Sequence, residues 1–253
     1  MSADDAATAI RDGVPLLQAG RVSVDPEDVL DELRRAARNL AETAELGTPG
    51  QRAAEALATA AIDVGALLGP ALDGDVQAIG REAARLGVAS ETLQQLLGLA
   101  LQPFLWATAA RASAMTDVDR WDRGYCPVCG AWPGLAELVG PEKRRVLRCT
   151  RCATAWSWFV LLCPYCGNDD HRSLRTLRDE GGSVRVDVCE RCHGYVKAVT
   201  SYASVSAPRL VAEDVATLDL DLIATDGGYK RPGDVDVATA GIPRLVREGR
   251  ALR

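Results

Sequence analysis

The eight cysteines constrain this chain more than any other feature. They form four Cys-x-x-Cys pairs: Cys126 with Cys129, Cys149 with Cys152, Cys163 with Cys166, and Cys189 with Cys192. A Cys-x-x-Cys turn places two thiolates on one side of a tight loop, and four thiolates complete a tetrahedral metal site. The first two pairs are separated by 19 residues and the last two by 22. Both separations lie in or near the spacing of roughly 15–20 residues that is typical of a structural zinc ribbon. The pattern therefore predicts two four-cysteine metal sites.

The two halves of the cysteine region repeat each other. Residues 126–130 (Cys-Pro-Val-Cys-Gly) and 163–167 (Cys-Pro-Tyr-Cys-Gly) agree at four of five positions. Strand-like segments lie between the two cysteine pairs of each half, which predicts a hairpin in each. We interpret the region as an internal duplication in which each half binds one metal ion. The duplication favours sequential pairing, first pair with second and third with fourth. A cross-brace that joins first with third and second with fourth remains open.

Composition favours metal binding over disulfides. The chain has 253 residues, of which 47% are hydrophobic and 25% charged, and this is ordinary for a soluble globular protein. No apolar run approaches the roughly 18 residues of a membrane-spanning helix. The acidic start, Met1-Ser2-Ala3-Asp4-Asp5, lacks the pattern of a signal peptide. We therefore expect a cytoplasmic protein without membrane insertion, whose reduced cysteines bind metal; a disulfide framework is the disfavoured alternative.

The N-terminal half predicts helices. Asp25 and Pro26 form a helix start, with Asp25 as N-cap and Pro26 at the first helical position. Apolar residues then recur at helical spacing, and Gly69-Pro70 is expected to end the second helix. This half contains no cysteine and no histidine, so we interpret it as an all-α packing domain. The predicted helices cover residues 26–44, 51–68, 75–86 and 90–115.

One amphipathic helix is predicted after the cysteine region. Its apolar positions include Val211, Val215, Leu218 and Leu222, and its acidic residues are expected to face water. These acidic residues are Glu213, Asp214, Asp219 and Asp221. The tail from Pro232 to Arg253 has weak patterning, and whether it is mobile or binds a partner remains open.

The predicted fold class is α+β. An N-terminal all-α domain precedes two tandem zinc-ribbon units and a C-terminal helix. We place the helical domain at residues 1–118, the first metal-binding unit at 119–160, the second at 161–203, and the C-terminal helix with its tail at 204–253.

The distribution of charge suggests a nucleic-acid-binding protein as an alternative, but the charge of the metal sites argues against it. Residues 120–200 hold 13 Lys and Arg against 9 Asp and Glu, although the whole chain carries a net charge of −6. Basic residues concentrate over 143–151, and Trp156 and Trp158 could stack on bases. Each divalent metal with four thiolates adds about −2, so two sites would offset the local excess. A nucleic-acid-binding zinc ribbon is therefore disfavoured. A redox or electron-transfer protein, with iron in the first site, is the other alternative.

The cysteine pairs and their flanks resemble the formate dehydrogenase accessory protein family, FdhE. The resemblance covers about residues 120–228 well and the N-terminal helices loosely. It rests on residues 126–130 after Trp121, on 149–154 followed by Trp156, and on residues 163–168, 189–197 and 213–221.

This resemblance implies a noncatalytic maturation chaperone. Such a protein binds the catalytic subunit of formate dehydrogenase, a molybdenum or tungsten enzyme, in the cytoplasm before its export. It carries two rubredoxin-like sites for iron or zinc, and homodimer formation remains open. The sequence shows no nucleophile–base pair, so an enzyme is not expected. The ligands that carry over are Cys126, Cys129, Cys149 and Cys152 at site 1 and Cys163, Cys166, Cys189 and Cys192 at site 2.

Overall fold

Helices occupy the N-terminal half of the chain and strands occupy the cysteine region, which gives the expected mixture of helix and sheet. The computed structural model describes residues 2–19, 24–178 and 184–231. Residues 22–107 form one compact unit, and residues 1–21 together with 108–253 form a second. The four predicted domain boundaries stay predictions, and the predicted tail from 232 onward lies outside the described residues.

The helices before the cysteine region begin at side-chain caps in most cases. Asp25, Thr48, Asp63 and Asp75 each accept a hydrogen bond from a backbone N–H group in the first turn of the helix that follows. In chain order the helices are α1 (Ala3–Asp12), α2 (Leu16–Ala19), α3 (Pro26–Thr43), α4 (Pro49–Thr59), α5 (Val64–Asp73), α6 (Val76–Leu86) and α7 (Ser90–Met115).

None of the helices in the described part of the chain combines the length and the hydrophobicity that a membrane span requires.

The prediction of one helix over residues 51–68 was wrong. The chain leaves the helix after Thr59, and α5 begins at Val64 and continues through Pro70. Asp63 fixes the new start because its Oδ1 accepts the N–H of Ala66 at 3.0 Å. Pro70 does not end α5, which continues to Asp73 and is capped by Gly74 at a φ of 74°. Asp63 therefore starts α5, and Gly69-Pro70 lies inside this helix instead of ending it.

One continuous sheet contains both halves of the duplication. The strand order is β3-β2-β1-β6-β5-β4, and the neighbours are antiparallel except for the parallel pair β1 and β6, where Leu135 lies opposite Lys197. This central pair joins two three-stranded halves, and the sequence had not predicted that the halves pair with each other. The strands are β1 (Leu135–Val139), β2 (Arg144–Arg148), β3 (Ala155–Ser157), β4 (Leu174–Arg178), β5 (Val184–Cys189) and β6 (Tyr195–Ser201).

The predicted C-terminal helix is divided in two. Helices α8 (Ala207–Ala216) and α9 (Leu218–Asp226) meet at Thr217, whose φ of −120° and ψ of 31° interrupt the helix. Leu210 of α8 and Leu220 and Ala224 of α9 pack against valines of β5 and β6 on one face of the sheet. The helices thereby cover a hydrophobic core that the sheet alone would expose.

The faces of this helical segment also differ from the prediction. Val215, Leu218 and Leu222 are 58 to 65% exposed, although they were expected to face the core. Asp214 and Asp221 instead turn toward the sheet, where both bind Lys197. The reason is that Lys197 is fully buried, and a buried ammonium group requires anionic partners.

Lys197 anchors the helices to the sheet through a network of charges. Its Nζ lies 2.9 Å from Asp214 Oδ1 and 2.7 Å from Asp221 Oδ2, and it donates a hydrogen bond to the carbonyl of Thr217 at 3.2 Å. Arg231 binds the same two carboxylates at 2.7 and 2.8 Å. Two cations and two carboxylates thus balance each other beside the core.

Replacing Asp221 by asparagine is expected to lower the free energy of unfolding at neutral pH by about 1.5–3 kcal/mol, as expected for hydrogen bonds to a charged group. Burial pushes the pKa of Asp221 up, but hydrogen bonds from Lys197 and Tyr195 outweigh it and hold the pKa below its ordinary 3.8. The native carboxylate therefore stabilises the fold above about pH 4, and this contribution is lost as the pH falls through the lowered pKa. Urea unfolding of both proteins over a pH series checks this, and a difference that does not shrink in acid would contradict it.

Candidate metal centres

The four cysteine turns share one backbone geometry. In each turn the residue after the second cysteine has a left-handed conformation, and its N–H donates to the carbonyl of the first cysteine at 2.8 to 3.0 Å. Glycine adopts this conformation without strain, whereas alanine and histidine do so at a cost. The positions and φ values are Gly130 (79°), Ala153 (61°), Gly167 (66°) and His193 (54°). His193 is therefore the turn residue of the fourth pair, and the four-sulfur group beside it does not include its ring.

The structure groups the cysteine sulfurs sequentially. In both groups the sulfur atoms all lie within 4.8 Å of one another. The first and second pairs converge, as do the third and fourth, and the cross-brace pairing is not what this structure contains. Site 1 consists of Cys126, Cys129, Cys149 and Cys152, and site 2 of Cys163, Cys166, Cys189 and Cys192.

The sulfur separations fit a tetrahedral metal ion. Metal–sulfur bonds of about 2.3 Å in a tetrahedron place the sulfurs about 3.8 Å apart. In site 1 the sulfurs of Cys126 and Cys152 are 3.5 Å apart and those of Cys129 and Cys149 are 3.4 Å apart. The corresponding separations in site 2 are 3.7 and 3.8 Å. Since a disulfide requires about 2.05 Å, these are free thiol groups in positions that could hold zinc or iron.

Hydrogen bonds orient the sulfurs within both sites. The N–H of Val128 donates to Cys126 Sγ at 3.4 Å, and the N–H of Cys152 donates to Cys149 Sγ at 3.5 Å. In site 2 the amide of Asn168 donates to Cys189 Sγ at 3.6 Å. Donors of this kind favour the thiolate form and fix the direction of its lone pairs. These donors come from the turns themselves and from Asn168, and the hydroxyl of Thr154 also lies 3.0 Å from Cys152 Sγ.

Without a cation, the thiols within each site compete for protons. In site 2, hydrogen bonding with Cys163 lowers the pKa of Cys192 to about 5, whereas burial raises the pKa of Cys166 to about 11. In site 1, burial raises the pKa of Cys126 well above its ordinary value. Four neighbouring thiolates repel one another, and a bound metal cation supplies the charge that allows all four to be deprotonated.

Site 1 is more enclosed than site 2. Three of its four cysteines are buried, whereas Cys166 and Cys192 of site 2 are half-buried. The N-terminal segment covers the first turn, where the N–H groups of Leu16 and Leu17 donate to the carbonyls of Pro127 and Val128, both at 2.9 Å. This contact was missed by the sequence analysis, because no local signal links residues more than 100 positions apart.

Aromatic side chains connect the surroundings of the two sites. The rings of Trp121, Tyr125, Trp132 and Tyr165 follow one another in edge-to-face contacts, with centroids 5.2 to 6.1 Å apart. At Gly124 a Cβ atom would lie 1.7 Å from the carbonyl oxygen of Pro164, so the chain before site 1 touches the first turn of site 2. The two halves therefore pack as one body, with no space for a side chain at this point.

The basic cluster over residues 143–151 does not form a single exposed patch. Arg145 and Arg148 are buried and pair with Asp187 and Glu137, respectively. Trp156 is fully buried, so its ring cannot stack on a base. Both observations that motivated the nucleic-acid alternative are therefore weakened.

Comparisons with known proteins point to one family. Residues 161–236 match the family model described as FdhE, C-terminal domain. A protein FdhE homolog from Aquifex aeolicus is 31% identical over 148 residues, which cover 56% of this chain and 51% of the relative. A homolog from Rhizobium meliloti is 34% identical over 133 residues, which cover 49% of this chain and 43% of the relative. The predicted resemblance to FdhE is confirmed. The matched stretch spans about half or less of the length of these FdhE relatives.

The fold is also similar to a solved FdhE structure. The crystal structure of the FdhE protein from Pseudomonas aeruginosa aligns with a TM-score of 0.57 and 22% sequence identity, over 91% of this chain and 78% of that one. At this level of identity the likeness concerns the fold alone. The similarity in fold extends beyond the cysteine region.

Proposed function

We propose that this chain is a metal-binding accessory protein, a maturation chaperone that binds the catalytic subunit of formate dehydrogenase in the cytoplasm during its assembly. The observation that carries the proposal is the pair of four-sulfur sites built into one continuous sheet. The similarity to FdhE proteins suggests formate dehydrogenase as the partner enzyme. The resemblance implies a helper of formate dehydrogenase that carries two metal sites.

The eight cysteines are proposed to bind two metal ions, iron or zinc, one at each site. Four protein sulfurs close a tetrahedral coordination sphere and leave no position for a substrate. This geometry favours a structural role, in which the metals hold the turns and the sheet in place. It also supports our expectation that the protein is not an enzyme.

An apolar segment beside site 2 is the proposed contact with the catalytic subunit. Phe159, Val160 and Leu161 follow Trp158, the residue after β3, and are 60, 41 and 48% exposed. Consecutive exposed apolar side chains favour a protein–protein contact. Because Cys163 follows two residues later, the metal-binding turn holds this segment in position.

Capture of a tagged formate dehydrogenase catalytic subunit tests the proposed function. We expect the metal-loaded wild-type chain to retain the subunit, and Leu161→Asp to reduce the retained fraction about tenfold or more, because a carboxylate would enter an apolar contact. Leu46→Asp is the matched control, since Leu46 is 86% exposed and belongs to the helical unit. Retention by the wild type no greater than by a chain-free support would overturn the proposal.

Electron transfer remains a second candidate, favoured by one observation. The iron of this alternative was expected at site 1, but Cys166 and Cys192 are half-buried, so an iron ion at site 2 would lie closer to solvent and to a redox partner. Protein purified from its native cytoplasm distinguishes the candidates. Iron with a visible band that bleaches reversibly on reduction supports electron transfer, whereas tightly bound zinc supports the structural role.

A further inference from the structure

A small cleft lies beside site 2. Its volume is about 90 Å³. Residues of β4, β5 and β6 line it, together with Arg145 of β2 and the linker before Cys163. The side chains that matter for its chemistry are the polar Arg145, Arg185, Thr176 and Asp187 and the apolar Val160 and Leu161.

Among the arginine and aspartate side chains of this cleft, positive charge exceeds negative charge, and the site 2 cysteines Cys163 and Cys189 also line it. Two guanidinium groups share one carboxylate: Arg145 Nη2 lies 3.5 Å from Asp187 Oδ2, and Arg185 Nη2 donates to the same oxygen at 3.2 Å. Thr176 Oγ1 also donates to Asp187, at 3.1 Å from Oδ1. The carboxylate is therefore well supplied with donors, and one positive charge is in excess among these residues.

The two guanidinium groups also have unused hydrogen-bonding capacity. The Arg145 side chain is only 3% exposed, and its buried Nε has no hydrogen-bond partner among the described residues. Arg185 Nε is 2.9 Å from Asp187 Oδ1 but without the alignment of a hydrogen bond. Arginine remains charged when buried, so each unfilled donor carries a desolvation cost. A further anion in the cleft would offset that cost.

Size and surroundings define the class of anion. A cleft of about 90 Å³ is much smaller than the roughly 300–1,000 Å³ of ordinary small-molecule pockets, and it suits one carboxylate group. Arginine binds carboxylates with two parallel hydrogen bonds. The apolar wall at Val160 and Leu161, with the exposed Phe159 just before it, suits an aliphatic neighbour of that carboxylate. A peptide provides both groups side by side.

We infer that this cleft binds an aspartate or glutamate side chain of a peptide segment that carries an aliphatic residue next to it. The inference rests on the proposed function only for the source of the peptide, which would be the partner subunit. The carboxylate would lie between Arg145 and Arg185, and the aliphatic residue would pack on Leu161. The cleft would then recognise one acidic residue within an otherwise apolar segment of the peptide.

Fluorescence anisotropy with a labelled peptide tests this inference. The probe is a short peptide that contains Leu-Glu-Leu, and its partner contains Leu-Gln-Leu; both are titrated with metal-loaded protein at low salt. Metal loading matters because Cys163 and Cys189 line the cleft, and a bound divalent metal offsets half of the negative charge of the four thiolates at site 2. We expect the glutamate peptide to bind at least about tenfold more tightly than the glutamine peptide.

Variants locate the binding site. Arg185→Gln is expected to weaken binding of the glutamate peptide about tenfold, and Arg185→Lys to restore part of it. Arg144→Gln is the matched control, because Arg144 is exposed and lies on the same strand as Arg145. Metal content and melting temperature identify any variant that fails to fold. If Arg185→Gln fails to fold, the binding of Arg185→Lys tests the role of Arg185.

Equal binding of the two peptides, no binding, or no effect of Arg185→Gln in folded protein would overturn the inference. None of these results involves the dehydrogenase, so the capture experiment stands or fails separately.

Discussion

Replacing Cys149 by serine is expected to remove one of the two proposed metal ions and to unfold much of the cysteine region. Cys149 is fully buried, and its loss leaves three sulfurs in an enclosed site. Structural zinc sites contribute an apparent 10–16 kcal/mol or so. The whole free energy of unfolding of a typical domain is about 5–15 kcal/mol. Metal-to-protein ratios and near-ultraviolet circular dichroism check the result, because Trp121 and Trp132 lie in the aromatic chain near this site.

Cys192→Ser is the matched variant at the more open site 2. It should also lose one metal ion per chain, but with a smaller loss of structure, because the contacts of Leu16 and Leu17 with the first turn remain. A Cys149→Ser protein that retains two metal ions per chain would contradict the proposed ligand set. Equal losses of structure in the two variants would contradict the predicted difference between the sites.

Replacing Glu137 by alanine is expected to lower the free energy of unfolding by about 3–5 kcal/mol, the usual cost of breaking a buried ion pair. Glu137 is 1% exposed and pairs with Arg148. It also accepts the N–H of Val205 at 3.2 Å and lies 3.4 Å from the hydroxyl of Ser204. The substitution leaves a buried guanidinium group without its carboxylate and breaks the contact of the sheet with the segment that leads into α8. Urea unfolding measures the difference.

The same substitution at an exposed pair provides the control. Glu213 binds Arg209 one helical turn away, and the Arg209 side chain is 67% exposed. Glu213→Ala should cost about 0.5 kcal/mol or less, since solvent screens such pairs. A double-mutant cycle with Arg148→Ala then isolates the buried interaction. A cost below about 1 kcal/mol for Glu137→Ala would mean that the pair at Arg148 adds little to stability.

Much of the geometry of the cysteine sites could be predicted because its signals are local. The turn around each Cys-x-x-Cys pair involves about five neighbouring residues, and the repeated Cys-Pro-x-Cys-Gly already contains the glycine that its left-handed position favours. The hairpin between the first two cysteine pairs was predicted from strand-like segments, and β1 and β2 form it. The start of α3 followed from Asp25 and Pro26 in the same way. In each case the residues that decide the structure are adjacent in the chain.

The faces of α8 and α9 could not be predicted because a distant residue decides them. By periodicity alone, the aspartates should face water and the leucines should face the core. Lys197, buried in the middle of the sheet, reverses this order at Asp214 and Asp221. The burial of Glu137 and Arg148 also depends on the fold. The two residues lie on different strands, and they form an ion pair only when β1 and β2 come together in the sheet.

The sequence by itself determined that this protein contains two four-cysteine sites in a duplicated hairpin region, because thiolate spacing and turn chemistry are local properties. Only the tertiary structure decided that β1 and β6 join the two halves into one sheet, that the N-terminal segment covers the first site, and that two arginines converge on one aspartate beside the second. These features depend on burial and on pairing between distant residues. The contacts that form them stabilise the protein only when the whole sheet has formed.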